Sequence, residues 1–267
     1  MLDKGRCLAA LLLAIGMLVS GAREAQSETG VDLALVLAVD VSFSMEKDEQ
    51  ELQRQGFVEA FRAPEVHEAI HKGMLGRIAV VYVEWAGASF QEVLVPWTVI
   101  ENPSDALDFA AYVARSSTRR AGYTSISGAI DYSLGQLGLS GVQSVRQVID
   151  ISGDGANNQG RTVTLARDEA LAQGITINGL PIMLNRPDSI WDIANLDLYY
   201  RDCVIGGPGA FMIPVREKHQ FVEAIKSKII REIAAQPQPQ VLVQPAPTGP
   251  STNCLAGEVR RHQSTGR

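Results

Sequence analysis

Oxygen-bearing side chains cluster in three segments that lie far apart in the sequence. DVSFS places Asp40, Ser42 and Ser44 directly behind the apolar run VDLALVLAV, Thr124 lies in GYTSISGAI, and Asp154 lies in SGDGANNQG. Hard divalent cations such as Mg2+ prefer oxygen ligands and keep some positions for water or a further ligand. Two carboxylates would balance the charge of the ion, and three hydroxyls would add neutral oxygens. These five residues therefore predict a metal site for Mg2+, with Mn2+ or Ca2+ as other candidates.

Alternating strand and helix signals explain how such distant residues could meet. From Val31 to about Ala235, apolar runs typical of strands alternate with segments of helical periodicity. This pattern predicts an α/β fold with a doubly wound, mostly parallel sheet and helices on both faces. Pro96 interrupts the run QEVLVPWTV, so we expect that strand to be an antiparallel edge strand. Ligands of such sheets bind at the carboxyl ends of the strands, where loops and helix amino termini converge.

The five residues resemble the metal-ion-dependent adhesion site (MIDAS) of von Willebrand factor type A (VWA) domains. The pattern of that family is Asp-x-Ser-x-Ser, a Thr further along the chain, and an Asp-Gly after the next strand, which here is Asp154-Gly155. The resemblance covers roughly residues 31–235 and also extends to a bacterial family of secreted single-VWA proteins of unassigned function. It implies that the serines and the threonine bind the cation directly or through water. It also implies that the aspartates often act through water and that a carboxylate of a partner protein completes the coordination shell.

The two ends of the chain differ from this core in composition. Residues 1–22 combine Lys4, Arg6, an apolar stretch and a small-x-small ending, which predicts a secretory signal peptide followed by a linker at 23–30. The apolar stretch is shorter than a spanning helix requires. We therefore expect a secreted or periplasmic protein with no membrane span after signal removal. Residues 236–267 are rich in Pro, Gln and small polar residues, which predicts a disordered tail.

Charge and cysteine content narrow the function further. A net charge of -6 argues against nucleic-acid binding, which requires clustered Lys and Arg. Loss of the signal would remove Cys7 and leave Cys203 and Cys254, which either pair in an oxidising compartment or remain two separate thiols. Asp150 lies inside an otherwise apolar strand, where it either supports the metal site from a second shell or faces solvent at a sheet end.

A second metal motif competes with the first. HEAIH, from His67 to His71, matches the His-Glu-x-x-His of zinc proteases. A proline and a glycine limit its helix to about two turns, and the remaining histidines, His219 and His262, do not follow at the spacing of a third ligand. We therefore favour a binding module without catalytic turnover, whose cation takes an acidic group from a partner protein. A metallohydrolase, with zinc at His67 and His71 or with water activated at the hard-metal site, is the alternative. A scaffold that does not need metal is the third possibility.

Overall fold

The computed structural model describes residues 28–117, 119–184, 193, 195–234 and 252–265. Within these residues the strands are β1 (Thr29–Asp40), β2 (Ile78–Trp85), β3 (Gln91–Ile100), β4 (Val142–Gly153) and β5 (Thr176–Pro181). They form one sheet in the order β3-β2-β1-β4-β5. β1 pairs in parallel with β2 and β4, and β4 pairs in parallel with β5, whereas β3 is antiparallel to β2. The predicted mostly parallel sheet with one antiparallel edge is confirmed, and Pro96 lies in that edge strand.

Helices cover both faces of this sheet. In chain order they are α1 (Lys47–Arg62), α2 (Pro64–His71), α3 (Pro103–Arg115), α4 (Ile126–Gly138), α5 (Val163–Ala172), α6 (Leu196–Tyr199), α7 (Phe221–Ala234) and α8 (Ala256–Thr265). A π-helical turn at Tyr200–Val204 continues α6, and a 3-10 turn at Lys218–Gln220 precedes α7. α1, α2, α3 and α7 share one apolar core with the sheet, and α4, α5 and α6 share the other.

The central strand β1 belongs to both cores. Its odd-numbered residues from 33 to 39 pack with one helical layer, and its even-numbered residues from 34 to 38 pack with the other. Side chains alternate between the two faces of a strand, so a strand that is covered on both sides must be apolar throughout. This burial fixes β1 firmly, and the strand ends at Asp40. Asp40, the first residue of the predicted metal site, therefore stands at the end of a strand that is held by packing on both faces.

A buried charged cluster attaches α7 to the sheet. Lys228 Nζ lies 2.9 Å from Asp150 Oδ1 and 2.6 Å from Glu232 Oε1, and Asn178 Nδ2 donates to Glu232 Oε2 at 2.7 Å. All four side chains are almost fully buried. Of the two alternatives for Asp150, the solvent-facing one is therefore wrong, because this side chain is buried and paired with a lysine of α7. Support of the metal site from a second shell stays a prediction.

The chain ends also differ from the sequence prediction. Residues 29 and 30 belong to β1 and not to a linker. Residues 252–265 are not disordered, because they contain α8 and because Cys254 forms a disulfide with Cys203. Composition alone missed this order, since the covalent link and the packing of α8 stabilise a segment with few apolar groups. The predicted signal peptide and residues 235–251 lie outside the described residues. No helix in the described part of the chain is long and apolar enough to cross a membrane.

Candidate metal centre

Sheet topology brings the three oxygen-rich segments together at the carboxyl ends of the parallel strands. Asp40 ends β1, and its Oδ1 accepts a hydrogen bond from the Ser42 N–H at 2.7 Å, which turns the chain at the end of the strand. Asp154 directly follows β4, the parallel neighbour of β1. Ser42 also forms an isolated parallel bridge with Ala121, and this bridge brings the segment leading to Thr124 alongside. Residues that are more than 100 positions apart thus become neighbours, as for Ser44 and Asp154, which are separated by 110 positions.

A chain of hydrogen bonds joins the two serines to the second carboxylate. The Oγ atoms of Ser42 and Ser44 lie 2.8 Å apart, and Ser44 Oγ donates to Asp154 Oδ1 at 2.7 Å. The amino terminus of α1 does not use Ser44, because Glu46 occupies the N-cap and forms a capping box with Glu49. Ser44 is exposed, whereas Ser42 is buried. The hydroxyls therefore line a path from the solvent to the interior of the site.

Thr124 lies beside the turn that follows β4. A Cβ atom added at Gly155 would lie 3.5 Å from Thr124 Oγ1, which places this hydroxyl next to the Asp154–Gly155 turn. Two hydrogen bonds link the segments: the Thr124 N–H donates to Asn158 Oδ1 at 2.9 Å, and the Asn158 N–H donates to the Thr124 carbonyl at 2.8 Å. The structure therefore brings all five predicted ligands together at the carboxyl ends of β1 and β4.

The residue before Thr124 has an unusual backbone. Tyr123 has a φ of 68°, and among the described residues it is the only non-glycine residue with a positive φ. This left-handed conformation costs a residue with a Cβ atom about 1–2 kcal/mol. Such conformations occur preferentially at functional sites, where surrounding contacts hold them.

Asp40 is the predicted ligand whose surroundings are the most informative. The carboxyl is fully buried, and its Oδ2 has no hydrogen-bond partner within the part of the chain that the structure describes. Burial raises the pKa of Asp40 from 3.8 to about 7, although the nearby Ser42 and the backbone N–H of Asp154 oppose the shift. A Cβ atom at Gly153 would lie only 2.8 Å from Oδ2, so glycine is needed there to leave room beside this oxygen. Buried polar atoms normally have partners, and a hard cation would supply one, so the residues present fit a divalent ion.

Two supporting residues were not identified from the sequence. Arg120 donates from Nη2 to the carbonyls of Phe43 at 2.8 Å and Met45 at 2.7 Å, and so holds the DVSFS turn. The buried Tyr200 hydroxyl lies 3.4 Å from the Gly153 carbonyl, at the end of β4. Arg120 lies in the same segment as Thr124 but acts on the distant DVSFS turn, and Tyr200 reaches the site from the π-helical turn after α6, so no sequence spacing pointed to either role.

Two exposed aromatic side chains lie beside the predicted ligands, on the solvent-facing side that we call the mouth of the site. Phe43 is 62% exposed and Tyr123 is 54% exposed, and each follows or precedes a predicted ligand in the sequence. The Arg120 guanidinium lies 5.5 Å from the centre of the Phe43 ring, and that of Arg261 lies 4.9 Å from the centre of the Tyr123 ring. The entrance is therefore lined by apolar rings and positive charge.

The competing zinc motif has a different environment. HEAIH forms the end of α2, and the Nε2 of His67 is hydrogen bonded to the Phe61 carbonyl at 2.7 Å. Because a carbonyl can only accept, this ring nitrogen carries the proton and does not offer a lone pair to a metal. Throughout the described ranges, no group of three or more His, Cys, Asp or Glu side chains could hold a metal ion together. The motif is accounted for as part of a connecting helix.

Solved structures with a similar fold include a mussel byssus protein, a pilus adhesin and a von Willebrand factor type A protein. Proximal thread matrix protein 1 from the mussel byssus, in a structure with a zinc-occupied MIDAS motif, is 13% identical with a TM-score of 0.52, over 78% of this chain and 49% of that one. The pilus adhesin SpaC from Lactobacillus rhamnosus GG is 12% identical with a TM-score of 0.56, over 76% and 30%. The von Willebrand factor type A protein from Catenulispora acidiphila is 13% identical with a TM-score of 0.51, over 76% and 43%. The chain spans about half or less of the length of these proteins.

These structural similarities confirm the VWA fold. No curated protein matches the chain in sequence. A family model described as "Protein of unknown function (DUF1194)" matches residues 30–237, a range that includes the whole sheet except its first residue and all five predicted metal ligands. The chain has the VWA fold and belongs to the DUF1194 family.

Proposed function

We propose that the protein is a binding module that holds a divalent cation and, through it, an acidic group of a partner protein. The ligands are Asp40, Ser42, Ser44, Thr124 and Asp154. The observation that carries this proposal is the fully buried Asp40, whose Oδ2 lacks a partner beside the hydroxyl chain that leads to Asp154.

The donor set suits a hard cation that still accepts another ligand. Two carboxylates balance the charge of the ion, and the hydroxyls of Ser42, Ser44 and Thr124 add no charge. A bound cation would supply a Lewis-acidic centre for an incoming carboxylate oxygen. Mg2+ is our first choice, with Mn2+ or Ca2+ as alternatives, because these ions prefer oxygen ligands. The zinc in the MIDAS of the mussel protein supports a divalent ion in general.

The mouth of the site supports a protein partner. Exposed Phe43 and Tyr123 offer apolar contact area, and Arg120 and Arg261 add positive charge over their rings. Aromatic residues and arginine are enriched at the centres of protein interfaces. We therefore propose a partner that presents a carboxylate within an apolar and acidic segment. We propose no catalytic turnover, because the carboxylates and hydroxyls around the ion serve as its ligands.

We further propose that the protein works outside the cytoplasm, in the periplasm or as a secreted protein. The disulfide between Cys203 and Cys254 supports this location. Structural disulfides form and persist in oxidising compartments and are rare in the cytosol.

Cation affinity tests the proposal directly. Isothermal titration of Mg2+ and Mn2+ into the protein should show binding at one site. Loss of an outer-shell partner lowers metal affinity by about 10- to 100-fold, and we expect Asp154→Ala to lower it further. Asp108→Ala is a matched control, because Asp108 is an exposed aspartate on α3, away from the loops of the site. Equal cation affinity in Asp154→Ala and the parent protein would contradict the proposed site.

The partner requires a separate experiment. Crosslinked pull-downs from an envelope fraction, with Mg2+ and with chelator, should recover a partner only with Mg2+, and Asp154→Ala should lose it. A partner recovered equally in chelator would show that binding does not pass through the cation.

A further inference from the structure

The C-terminal segment, residues 252–265, contacts the loop that follows the Asp154–Gly155 turn. Gly257 is buried so close to this loop that a Cβ atom would collide with the Asn157 carbonyl oxygen. Glu258 Oε1 also accepts a hydrogen bond from Asn157 Nδ2 at 2.8 Å. The amino-terminal turn of α8 therefore lies directly against the backbone three residues after Asp154.

A second contact leads from α8 to Thr124. Arg261 Nη1 donates to the Asn158 carbonyl at 3.1 Å, and its guanidinium lies over the ring of Tyr123. Asn158 is in turn bonded twice to Thr124, once through its side chain and once through its backbone N–H. A single residue thus connects α8 to a predicted cation ligand.

A covalent bond anchors the segment on its other side. Cys254 is joined to Cys203, which lies in the π-helical turn Tyr200–Val204. The same turn contains Tyr200, whose hydroxyl lies beside the end of β4. The disulfide therefore limits how far α8 can move from its position.

We propose that residues 252–265 are a positioning clamp for the cation site. The clamp holds the loop at Asn157 and Asn158, so that Thr124 and Asp154 already have their binding geometry before a cation arrives. Preorganised ligands bind more tightly, because less ordering remains to be done on binding. This inference rests on the proposed function, since it assigns to α8 a role in the affinity of that same site.

Gly257→Ala tests the clamp without changing any ligand. The added methyl group must push α8 away from Asn157, so we expect Mn2+ affinity to fall by about tenfold, the lower end of what loss of a supporting contact costs. Gly135→Ala is the matched control: Gly135 lies in α4, and nothing lies within 4 Å of the position of its Cβ. The control should bind Mn2+ like the parent protein.

Cys254→Ser provides a second, independent release of the segment. It opens the disulfide and leaves Cys203 as a thiol in the core, where a free cysteine is tolerated. We again expect about tenfold weaker Mn2+ binding, measured well below the melting temperature, where every variant is folded. A purely structural role of α8 would lower the melting temperature of both variants and leave their Mn2+ affinity unchanged, and that result would overturn the clamp.

The parent protein separates the two proposals. If it binds Mn2+ and both variants bind equally well, the clamp is wrong and the cation site stands. If neither the parent protein nor Gly135→Ala binds a divalent cation, the proposed function fails, and the clamp fails with it.

Discussion

At the scale of single residues, Asp40 gives the main physical support for the proposed cation. One of its oxygens is held by the Ser42 backbone, and the other is buried without a hydrogen-bond partner among the described residues. Ionising a buried carboxyl is unfavourable unless an opposite charge is near. Burial accordingly raises the pKa of Asp40 to about 7. A bound cation would supply the opposite charge and so reduce this cost.

Replacing this carboxyl by an amide should separate binding from stability. Asp40→Asn keeps an oxygen for the Ser42 N–H but removes the charge, so we expect the Mg2+ and Mn2+ affinity to fall by more than about 100-fold. In chelator at about pH 8, above the raised pKa, the variant should melt at the same temperature as the parent protein or higher. Calorimetry and titration of the same samples measure both quantities, with Asp108→Asn as the control.

The pH dependence of this difference has a definite sign. The folded protein keeps the Asp40 proton up to about pH 7, whereas the unfolded chain releases it near the usual value of 3.8. Ionisation of Asp40 therefore destabilises the cation-free protein as the pH rises through this window. The melting temperature of Asp40→Asn relative to the parent should rise over the same range. A large drop in the variant at every pH would instead mean that Asp40 is chiefly structural.

At the scale of elements, the attachment of α7 depends on a buried charge cluster. Burial alone would lower the pKa of Lys228, but Asp150 and Glu232 raise it above its usual value. Burial raises the pKa of Glu232, against the attraction of Lys228. One lysine thus faces two carboxylates in the interior, and the interaction joins α7 to β4. Removing one member of such a group leaves the others buried without compensation.

Lys228→Met should therefore destabilise the protein strongly. Two buried carboxyls would face each other without a cation, and breaking a buried ion pair in this way costs about 3–5 kcal/mol. Lys226→Met is the matched control on the same helix: Lys226 pairs with the exposed Glu223, and surface pairs contribute about 0–1 kcal/mol. Urea unfolding of both variants measures the free energies. A loss below about 1 kcal/mol in Lys228→Met would mean that the cluster contributes little to the attachment of α7.

At the scale of the whole molecule, the proposed cation ties together parts of the chain that only the sheet makes neighbours. Its ligands come from the end of β1, from the segment before α4 and from the turn after β4. A ligand that binds only the folded protein stabilises it by mass action. The cation would therefore stabilise the whole domain and not one loop alone.

Mg2+ should raise the melting temperature of the protein. At a concentration of about 100 times the Kd, the gain is about 2.7 kcal/mol, which for a domain of this size corresponds to roughly 5–10 °C. Sodium chloride at matched ionic strength and Asp154→Ala in Mg2+ should show no comparable shift. An equal rise in Asp154→Ala would mean that the ion binds elsewhere, and no rise in the parent protein would favour the metal-independent scaffold.

Much of the sheet and the core of the site could be predicted from local patterns. The apolar run of β1 indicates a strand covered on both faces, and Pro96 indicates an edge strand. Asp40 was identified through its spacing to Ser42 and Ser44, because a motif within five consecutive residues can be read without knowledge of the fold. The partner of Asp150 could not be found in this way, because Lys228 lies on a distant helix with no fixed spacing from it. The sequence also left open whether Cys203 and Cys254 pair.

The amino-acid sequence by itself therefore determined the fold class, the strands and the five candidate ligands, because these depend on periodicity, turn residues and side-chain chemistry within short stretches. Only the tertiary structure decided that Ser44 reaches Asp154, that Asp40 is left with a buried oxygen without a partner in the described chain, and that α8 lies against the loop at Asn157. These features arise from contacts between segments far apart in the chain. Their geometry is set by the packing of the sheet and its helices, which no local pattern specifies.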